Sequence, residues 1–493
     1  MKTNGKQAEE NADLVDMEEA IALLKTTRQT FYRWLRSGKF KGMKVGRQWR
    51  FYREDIDRFL KGEGPRIDLP GSLKPLLGNL ERKLKEAGKA PNAPLSGSED
   101  VQAVSLMLLL GYHLRASDLH LEPTAKEGGG TMAVLRYRID GVLHVFAEFE
   151  LPLLKPIVER WKTMGNANVH EAKKPQDCRI QMSLSGNPVD LRVSFIPACL
   201  GEAMTARFLD PNAVRLSLDN IPYSARDRDA LEKAVMAPWG LVFVTGPVGS
   251  GKTTVLYACL QMRVKPQIKV MSVEDPVEYI LPGVTQIQVR VAEGVTFSAA
   301  LRAIMRSDPD VVMVGEIRDL ETLRVAQQMA LTGHLVLSTM HTQNAAQALK
   351  RMVDVGGDAF LAADATKLIL AQRLLRKVCP ACGRSAKPSP GSLARAVDLA
   401  RAGGLKEDIA KGTFKKTQGC AECRQTGYRG RTVMAEALVM TPEIAAALQQ
   451  GVPPEEIQAI AVRQGMTTMA ADGIRRAAAG ETTLEEVFRI LPG

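Results

Sequence analysis

The sequence predicts a multidomain α/β protein whose centre is a parallel sheet wrapped by helices. Residues 221–372 alternate short apolar runs, at 241–245, 311–314 and 335–339, with stretches of helical period, the pattern of buried strands joined by helices. The first of those runs leads directly into a glycine-rich loop and then a helix. Length supplies the third observation: 493 residues, at about 150 per domain, ask for about three domains.

Composition narrows the class. With 45% hydrophobic and 25% charged residues the chain is an ordinary globular one, which excludes disordered and fibrous architectures. No apolar stretch approaches the roughly 18 residues of a membrane span; the densest run, 106–110, is far shorter. Residues 1–16 are polar and acidic, without the apolar centre of a signal peptide. Seven cysteines at this length are no disulfide scaffold. A cytoplasmic protein is expected. Its formal charge of +11 is local: residues 25–53 hold ten basic side chains and no acid, and the remainder is nearly neutral.

Composition shifts divide the chain into six segments. Residues 1–62 hold the basic cluster and many of the aromatics, and 63–98, rich in Gly, Pro, Lys and Ser, read as a linker with one charged helical stretch at 74–87. Residues 99–220 mix a helix at 99–114 with alternating strands such as 133–140 and 189–195. The strand–helix alternation occupies 221–374, two cysteine pairs fall within 375–432, and 433–493 are helical in period. No internal repeat is present.

The chemistry concentrates in the fourth segment. Gly246, Pro247, Val248, Gly249, Ser250, Gly251, Lys252 and Thr253 spell GxxxxGK[ST] between a strand and a helix that continues through Thr254. Glycines there let consecutive backbone N–H groups turn toward a phosphate, and the helix N-terminus adds a favourable dipole. Lys252 is placed to reach the β- and γ-phosphates of ATP, and Thr253 to ligate Mg²⁺. The strand at 311–314 ends in Gly315 and Glu316. A carboxylate at a strand tip beside a phosphate loop is where Mg²⁺ or its waters need a partner, so Glu316 is the candidate for the metal shell.

A further acidic run, Glu274-Asp275-Pro276-Val277-Glu278, follows a short strand at 269–273. Alone it reads as a solvated loop. Beside a phosphate loop it offers the carboxylate that orients an attacking water, with Glu274 as first candidate and Glu278 as the alternative. His334 and His341 flank the strand at 335–339. His341, at the end where ligands sit in open α/β sheets, is either a γ-phosphate sensor or a satisfied structural group.

The phosphate loop, "SVEDPVEY", "LRAIMRSDPDVVMVGEIRD" and "TGHLVLSTMHT" resemble, in order and spacing, the type II secretion and type IV pilus assembly ATPases. The likeness covers residues 99–493 and includes "ASDLHLEP" (116–123), "RYRIDGVLH", "KKPQDCRI", "DLRVSFIP" and the C-terminal "GMTTMAADGIRRAAAGETTLEEVFRI". It implies a PAS-like α+β domain over 99–220, a RecA-like P-loop core over 221–374 and a helical C-terminal part over 433–493. It also implies a hexameric ring ATPase with active sites between a RecA-like domain and a neighbouring PAS-like one. Arg192 of "DLRVS" and Arg207 of "RFLD" are implied to approach the γ-phosphate, where such an arginine is worth 10³–10⁵ in rate. Partners implied are an inner-membrane platform protein and cytoplasmic-side assembly proteins, with the chain peripheral to the membrane. Cys178 stands where the family usually has Gly, Val248 where Thr is common, and Arg290 where Asn is frequent; the first two changes remove no catalytic group.

Cys379, Cys382, Cys420 and Cys423 form two CxxC hooks, a donor set suited to closed tetrahedral Zn²⁺ of structural role. In a reducing compartment this spacing favours metal over disulfide, and the resemblance agrees. Redox chemistry is the weaker alternative, and Cys178, Cys199 and Cys259 read as inert thiols.

The N-terminal segment has its own logic. Helices at 17–24, 28–37 and 53–60 surround a basic alternating stretch at 43–51, and "TTRQTFYRWLRSGKFKGMKVGRQWRFYREDIDRFL" resembles the excisionase/MerR-like winged helix-turn-helix. The resemblance implies that Thr27, Arg28, Gln29, Thr30, Tyr32 and Arg33 face DNA, with Arg47, Trp49 and Arg50 on the wing. Phe31, Trp34 and Leu35 are expected in its core. Two other roles stay open for residues 25–53: a protein or acidic lipid surface, and a merely solvated basic face. The chain as a whole is expected to power pilus assembly or type II secretion. The alternatives are a DNA-uptake or DNA-translocating motor and an ATP-gated DNA-binding regulator.

Overall fold

The computed structural model describes residues 14–36, 40, 42–45, 48–60, 71–88, 96–184, 186–209 and 217–491, in two compact units, Met1–Pro211 and Asn212–Gly493. Arg47 and Ser37 lie outside the described residues, as do 61–70 and 89–95 of the expected linker. Among the described residues no helix is long and apolar enough to cross a membrane.

The first unit opens with β1 (Leu14–Val15), α1 (Met17–Leu23), α2 (Arg28–Arg36), β2 (Met43–Val45), β3 (Gln48–Tyr52) and α3 (Arg53–Leu60). The three strands pair antiparallel in the order β1-β3-β2. Asp16 caps α1 by accepting from the Glu19 N–H at 2.9 Å. A module this small has little interior, and aromatics supply the most buried area per residue. Phe31, Phe40 and Phe51 are buried in mutual contact, centroids 5.0 to 5.6 Å apart, while Trp34 and Leu35 pack partly buried at their edge.

Next come α4 (Lys74–Glu86), α5 (Glu99–His113), β4 (Asp118–Ala125), β5 (Thr131–Ile139), β6 (Val142–Glu150), α6 (Leu154–Met164), β7 (Gln176–Leu184), β8 (Asn187–Ala198) and β9 (Gly201–Leu209). The strands form one antiparallel sheet, β6-β5-β4-β9-β8-β7. Alternate residues of each strand, among them Leu119, Leu121, Leu135, Tyr137, Leu191, Val193, Met204 and Ala206, are buried under the helices. Helix α4 departs from the expectation of a linker. Leu76, Leu77, Leu80 and Leu84 make a helical stripe that is buried in the core of this domain with α5. The charges between those leucines disguised them. Cys178 packs on Gly165, where an added Cβ would lie 2.1 Å from its sulfur.

The second unit contains α7 (Ala225–Met236), β10 (Gly240–Thr245), α8 (Lys252–Arg263), β11 (Val270–Glu274), β12 (Val284–Gln288), α9 (Phe297–Ile304), β13 (Val311–Val314), α10 (Leu320–Leu331), β14 (Leu335–Met340), α11 (Ala345–Asp354), α12 (Ala359–Ala365) and β15 (Thr366–Val378). Then follow β16 (Arg384–Ser385), α13 (Pro390–Ala402), β17 (Lys415–Lys416), β18 (Tyr428–Val439), α14 (Pro442–Gln449), α15 (Pro454–Arg463), α16 (Met469–Ala478) and α17 (Leu484–Ile490). The sheet order is β12-β11-β13-β14-β10-β15-β18. All neighbours are parallel except β15 and β18. The sheet therefore runs past the expected limit at 374: β15 and β18 cross the boundaries placed at 374 and 432, and the cysteine-bearing insertion grows out of this antiparallel pair.

Candidate nucleotide and metal sites

Strand β10 is buried along its whole length, so the chain leaves it at a fixed point, and α8 starts at Lys252. Between them Gly246 holds φ +148°, and an added Cβ would meet the Gln372 carbonyl at 2.3 Å. Only glycine fits this turn. Lys252 Nζ donates to the carbonyls of Gly246 at 2.8 Å and Pro247 at 3.1 Å. Thr253 is exposed at the first turn of α8, beside N–H groups without intrahelical partners. Gln372 Nε2 braces the loop through the Ser250 carbonyl at 2.8 Å and its Oε1 accepts from the Tyr223 hydroxyl. The loop, its lysine and its threonine fit a triphosphate with Mg²⁺.

Parallel strands bring their C-terminal ends to one edge, and Glu316 and His341 arrive there from β13 and β14. Glu316 pairs with the Arg318 guanidinium and lies 3.5 Å from His341 Nε2. Burial pushes the Lys252 ammonium down to about 8, against the pull of the Glu316 carboxylate. Burial, and then the Lys252 charge, hold the His341 imidazole below its ordinary value, with Glu316 opposing. Lys252, Glu316 and His341 therefore share one electrostatic site. His334 is at the opposite end of β14, where Nδ1 sits 2.9 Å from the Met329 carbonyl; it is a structural group.

Glu274, expected to orient the attacking water, is enclosed by donors of the protein itself. It is 3% exposed and accepts from the Ser272 hydroxyl at 2.6 Å, from Gln286 Nε2 at 3.0 Å and from the Tyr257 hydroxyl. Three of the roughly four acceptor positions of a carboxylate are filled by the protein. In this conformation Glu274 braces the end of β11 and has little to offer a water. Glu278, the alternative, is half-buried.

In the first unit, Arg192 on β8 and Arg207 on β9 are direct cross-strand partners. The row continues to Arg179 on β7 and, through Asp118 on β4, to Arg138 on β5. Asp118 accepts from Arg207 Nε at 2.9 Å and lies 3.6 Å from Arg138 Nε. Asp190 pairs with Arg179, Nη2 to Oδ2 at 2.5 Å, so the three arginines of the row stand beside two carboxylates, Asp118 and Asp190.

The four cysteine sulfurs lie within 4.8 Å of one another. Separations of 3.9 Å for Cys379–Cys420, 3.8 Å for Cys382–Cys423 and 3.6 Å for Cys420–Cys423 match the edge of about 3.8 Å that Zn–S bonds near 2.3 Å impose on a tetrahedron. The N–H groups of Cys420 and Gly427 each point at Cys423 Sγ from 3.1 Å, which favours a thiolate there. The residues fit zinc.

A family profile for the type II/IV secretion system proteins matches residues 101–489. The chain belongs to that family. It is 40% identical over 394 residues to type II secretion system protein HxcR of Pseudomonas aeruginosa, covering 80% of this chain and 78% of that one. It is 36% identical over 444 residues to the type IV pilus assembly ATPase PilB of Myxococcus xanthus, covering 88% and 75%. Among solved structures, Legionella pneumophila DotB superposes with a TM-score of 0.58 at 21% identity over 81% of this chain and 97% of that one. The pilus retraction motor PilT does so with 0.52 at 22%, over 79% and 97%. These two show the fold. Like its relatives in the type II/IV secretion family, the chain is an ATP-hydrolysing enzyme.

A helix-turn-helix profile matches residues 14–64. Along α2 and its entry, Thr27, Arg28, Gln29, Tyr32 and Arg33 are exposed and Thr30 is partly so. On the wing, Lys44 Nζ lies over the Trp49 ring at 5.4 Å, and Arg50 donates to Gln48 Oε1 at 2.8 Å. Trp49 stacks on Phe51 and so serves the core as well as the surface.

Sequence reasoning missed Gln372, Tyr223, Tyr257 and Gln286, which hold the loop and Glu274. One signal was available: Gln372 directly follows the apolar run Leu368–Ala371 of β15, and a polar group buried there needs a partner.

Proposed function

We propose that the chain is the hexameric motor of a type II secretion or type IV pilus assembly machine, peripheral at the cytoplasmic face of the inner membrane. Hydrolysis of Mg²⁺–ATP would drive work on a platform protein and its cytoplasmic-side assembly partners. The observation that carries the reading is the convergence of Lys252, Glu316 and His341 on one sheet edge beside the phosphate loop. Lys252 and the loop N–H groups bind the phosphates, and Thr253 and Glu316 serve Mg²⁺ and its waters. His341, held neutral near pH 7, reports the γ-phosphate to β14. Glu278 orients the water, because Glu274 is occupied as a brace. Arg192 and Arg207 neutralise charge on the transferring phosphate. Cys379, Cys382, Cys420 and Cys423 hold a structural Zn²⁺ that stands in for a core in the insertion.

The test is turnover by Lys252→Ala. Hydrolysis should be lost while sedimentation still finds the ring, and retained hydrolysis refutes the assignment.

A second reading concerns the N-terminal module. Its concentrated charge and its helix-turn-helix match favour duplex DNA as a ligand of residues 25–53, which would make the chain a DNA-translocating motor or an ATP-gated regulator. Phosphate contacts make such binding fall steeply with salt. Full-length protein should bind duplex DNA with a steep salt slope that Arg28→Ala plus Arg33→Ala reduces. Binding to anionic vesicles or to a protein partner alone would assign the module to docking instead.

A further inference from the structure

Glu436 lies in β18 and is 2% exposed, a setting that tolerates a carboxylate only with partners. Its partners are two helix N-termini. One oxygen accepts from the backbone N–H of Ala345, the first residue of α11, at 2.7 Å; the other accepts from Met469, the first residue of α16, at 2.8 Å. Each helix also has a side-chain cap of its own, which leaves these first N–H groups to Glu436. The Asn344 side chain already accepts from the Gln347 N–H, and Thr468 from the Ala471 N–H.

The two helices carry different parts of the unit. Helix α11 follows directly on residues 341–344, whose other end is tied to the phosphate-loop strand: the Thr342 N–H donates to Thr245 Oγ1 at 3.0 Å. Helix α16 belongs to the C-terminal helices and packs on α13 of the cysteine-bearing insertion. A cavity of about 270 Å³, lined by Asn344, Arg395, Gly403, Glu436 and Thr468, lies beside both caps. Side-chain packing there is incomplete, and the carboxylate bridges the two helix ends beside it.

We propose that Glu436 is a positioning residue for ATP hydrolysis: shared by the N-termini of α11 and α16, it fixes residues 341–344 to the C-terminal helices and so sets His341 against Glu316. The proposal rests on the reading of Lys252, Glu316 and His341 as the hydrolytic site. Glu436 joins that site to α16, which packs on the insertion, through one carboxylate, beside the direct packing of α11 on α15.

The experiment measures kcat and KM for ATP on the full-length chain, normalised to the folded fraction, beside the melting temperature. In Glu436→Gln one N–H keeps an acceptor and the other faces an amide donor. The expected result is a kcat about 10- to 100-fold lower, the cost of a misplacement near 1 Å, with KM within about twofold because the phosphate loop is untouched. Ala345→Pro removes only the donor at the start of α11, at a position where proline suits a helix. It should reproduce the kcat loss even where Glu436→Gln fails to fold, and the double variant should be no worse than the single ones, since both cut one link. Wild-type kcat in both variants with only the melting temperature lowered makes Glu436 a structural cap and overturns the proposal. Lys252→Ala run alongside separates the two claims: turnover retained there overturns the site reading itself.

Discussion

Glu274 and Glu316 close neighbouring strands of one sheet, β11 and β13, yet they meet opposite surroundings. Glu274 is buried and accepts from three neutral donors that belong to the fold, Tyr257, Ser272 and Gln286. Glu316 is held by Arg318, whose side chain is 65% exposed, and faces His341, which is 48% exposed. Buried neutral donors cannot leave without a desolvation cost. Exposed charged partners can exchange for a metal ion, a water or a phosphate at little cost. The same residue type at equivalent strand ends is therefore fixed by the fold in one case and, on the proposed function, available for chemistry in the other, and the donors make the difference.

The largest effect that would break this contrast is on turnover. Glu316→Gln keeps the shape and deletes the charge, and kcat should fall on the order of 10²–10³-fold, as for other groups acting on transition-state charge, with melting unchanged. Equal activity would remove Glu316 from the site. Glu274→Gln should do the reverse. Its new amide group faces one of three donors, which costs about 1–3 kcal/mol of stability, read as a lower denaturant midpoint, while kcat per folded molecule changes less than about tenfold. A catalytic collapse at full stability would return the water to Glu274 and take it from Glu278.

This contrast also marks what the chain could reveal before its structure. The phosphate loop, the Glu316 strand and the four cysteines were legible because each pattern is local: a few residues at fixed spacing suffice for the chemistry. So were the three helices of the N-terminal module, which end within a residue of expectation. Donor sets around a carboxylate are not local. Ser272 is two residues from Glu274, but Tyr257 and Gln286 are 17 and 12 away, and no spacing rule links them. Helix α4 was misjudged for a related reason: its leucines meet α5 across a Pro- and Gly-rich stretch, so composition outweighed periodicity. Strand β18 was lost among helices because its partner β15 precedes the whole cysteine insertion.

The smallest effect sharpens the contrast through pH. Lys252 must be charged to hold phosphate, and with its ammonium near 8 it is protonated at pH 7 and mostly neutral at pH 9. Bound phosphate favours the charged form, so ATP binding weakens as pH rises through about 8 and KM should rise about tenfold between pH 7 and pH 9. Glu316 is the group that pulls this lysine upward. Removing its charge leaves burial unopposed, so in Glu316→Gln the break in an ATP-binding titration should move to lower pH. In Glu274→Gln it should stay, because that carboxylate is not among the groups acting on Lys252. A break that moves in both variants, or in neither, would mean that the two strand ends do not differ in what they do to the phosphate-binding lysine.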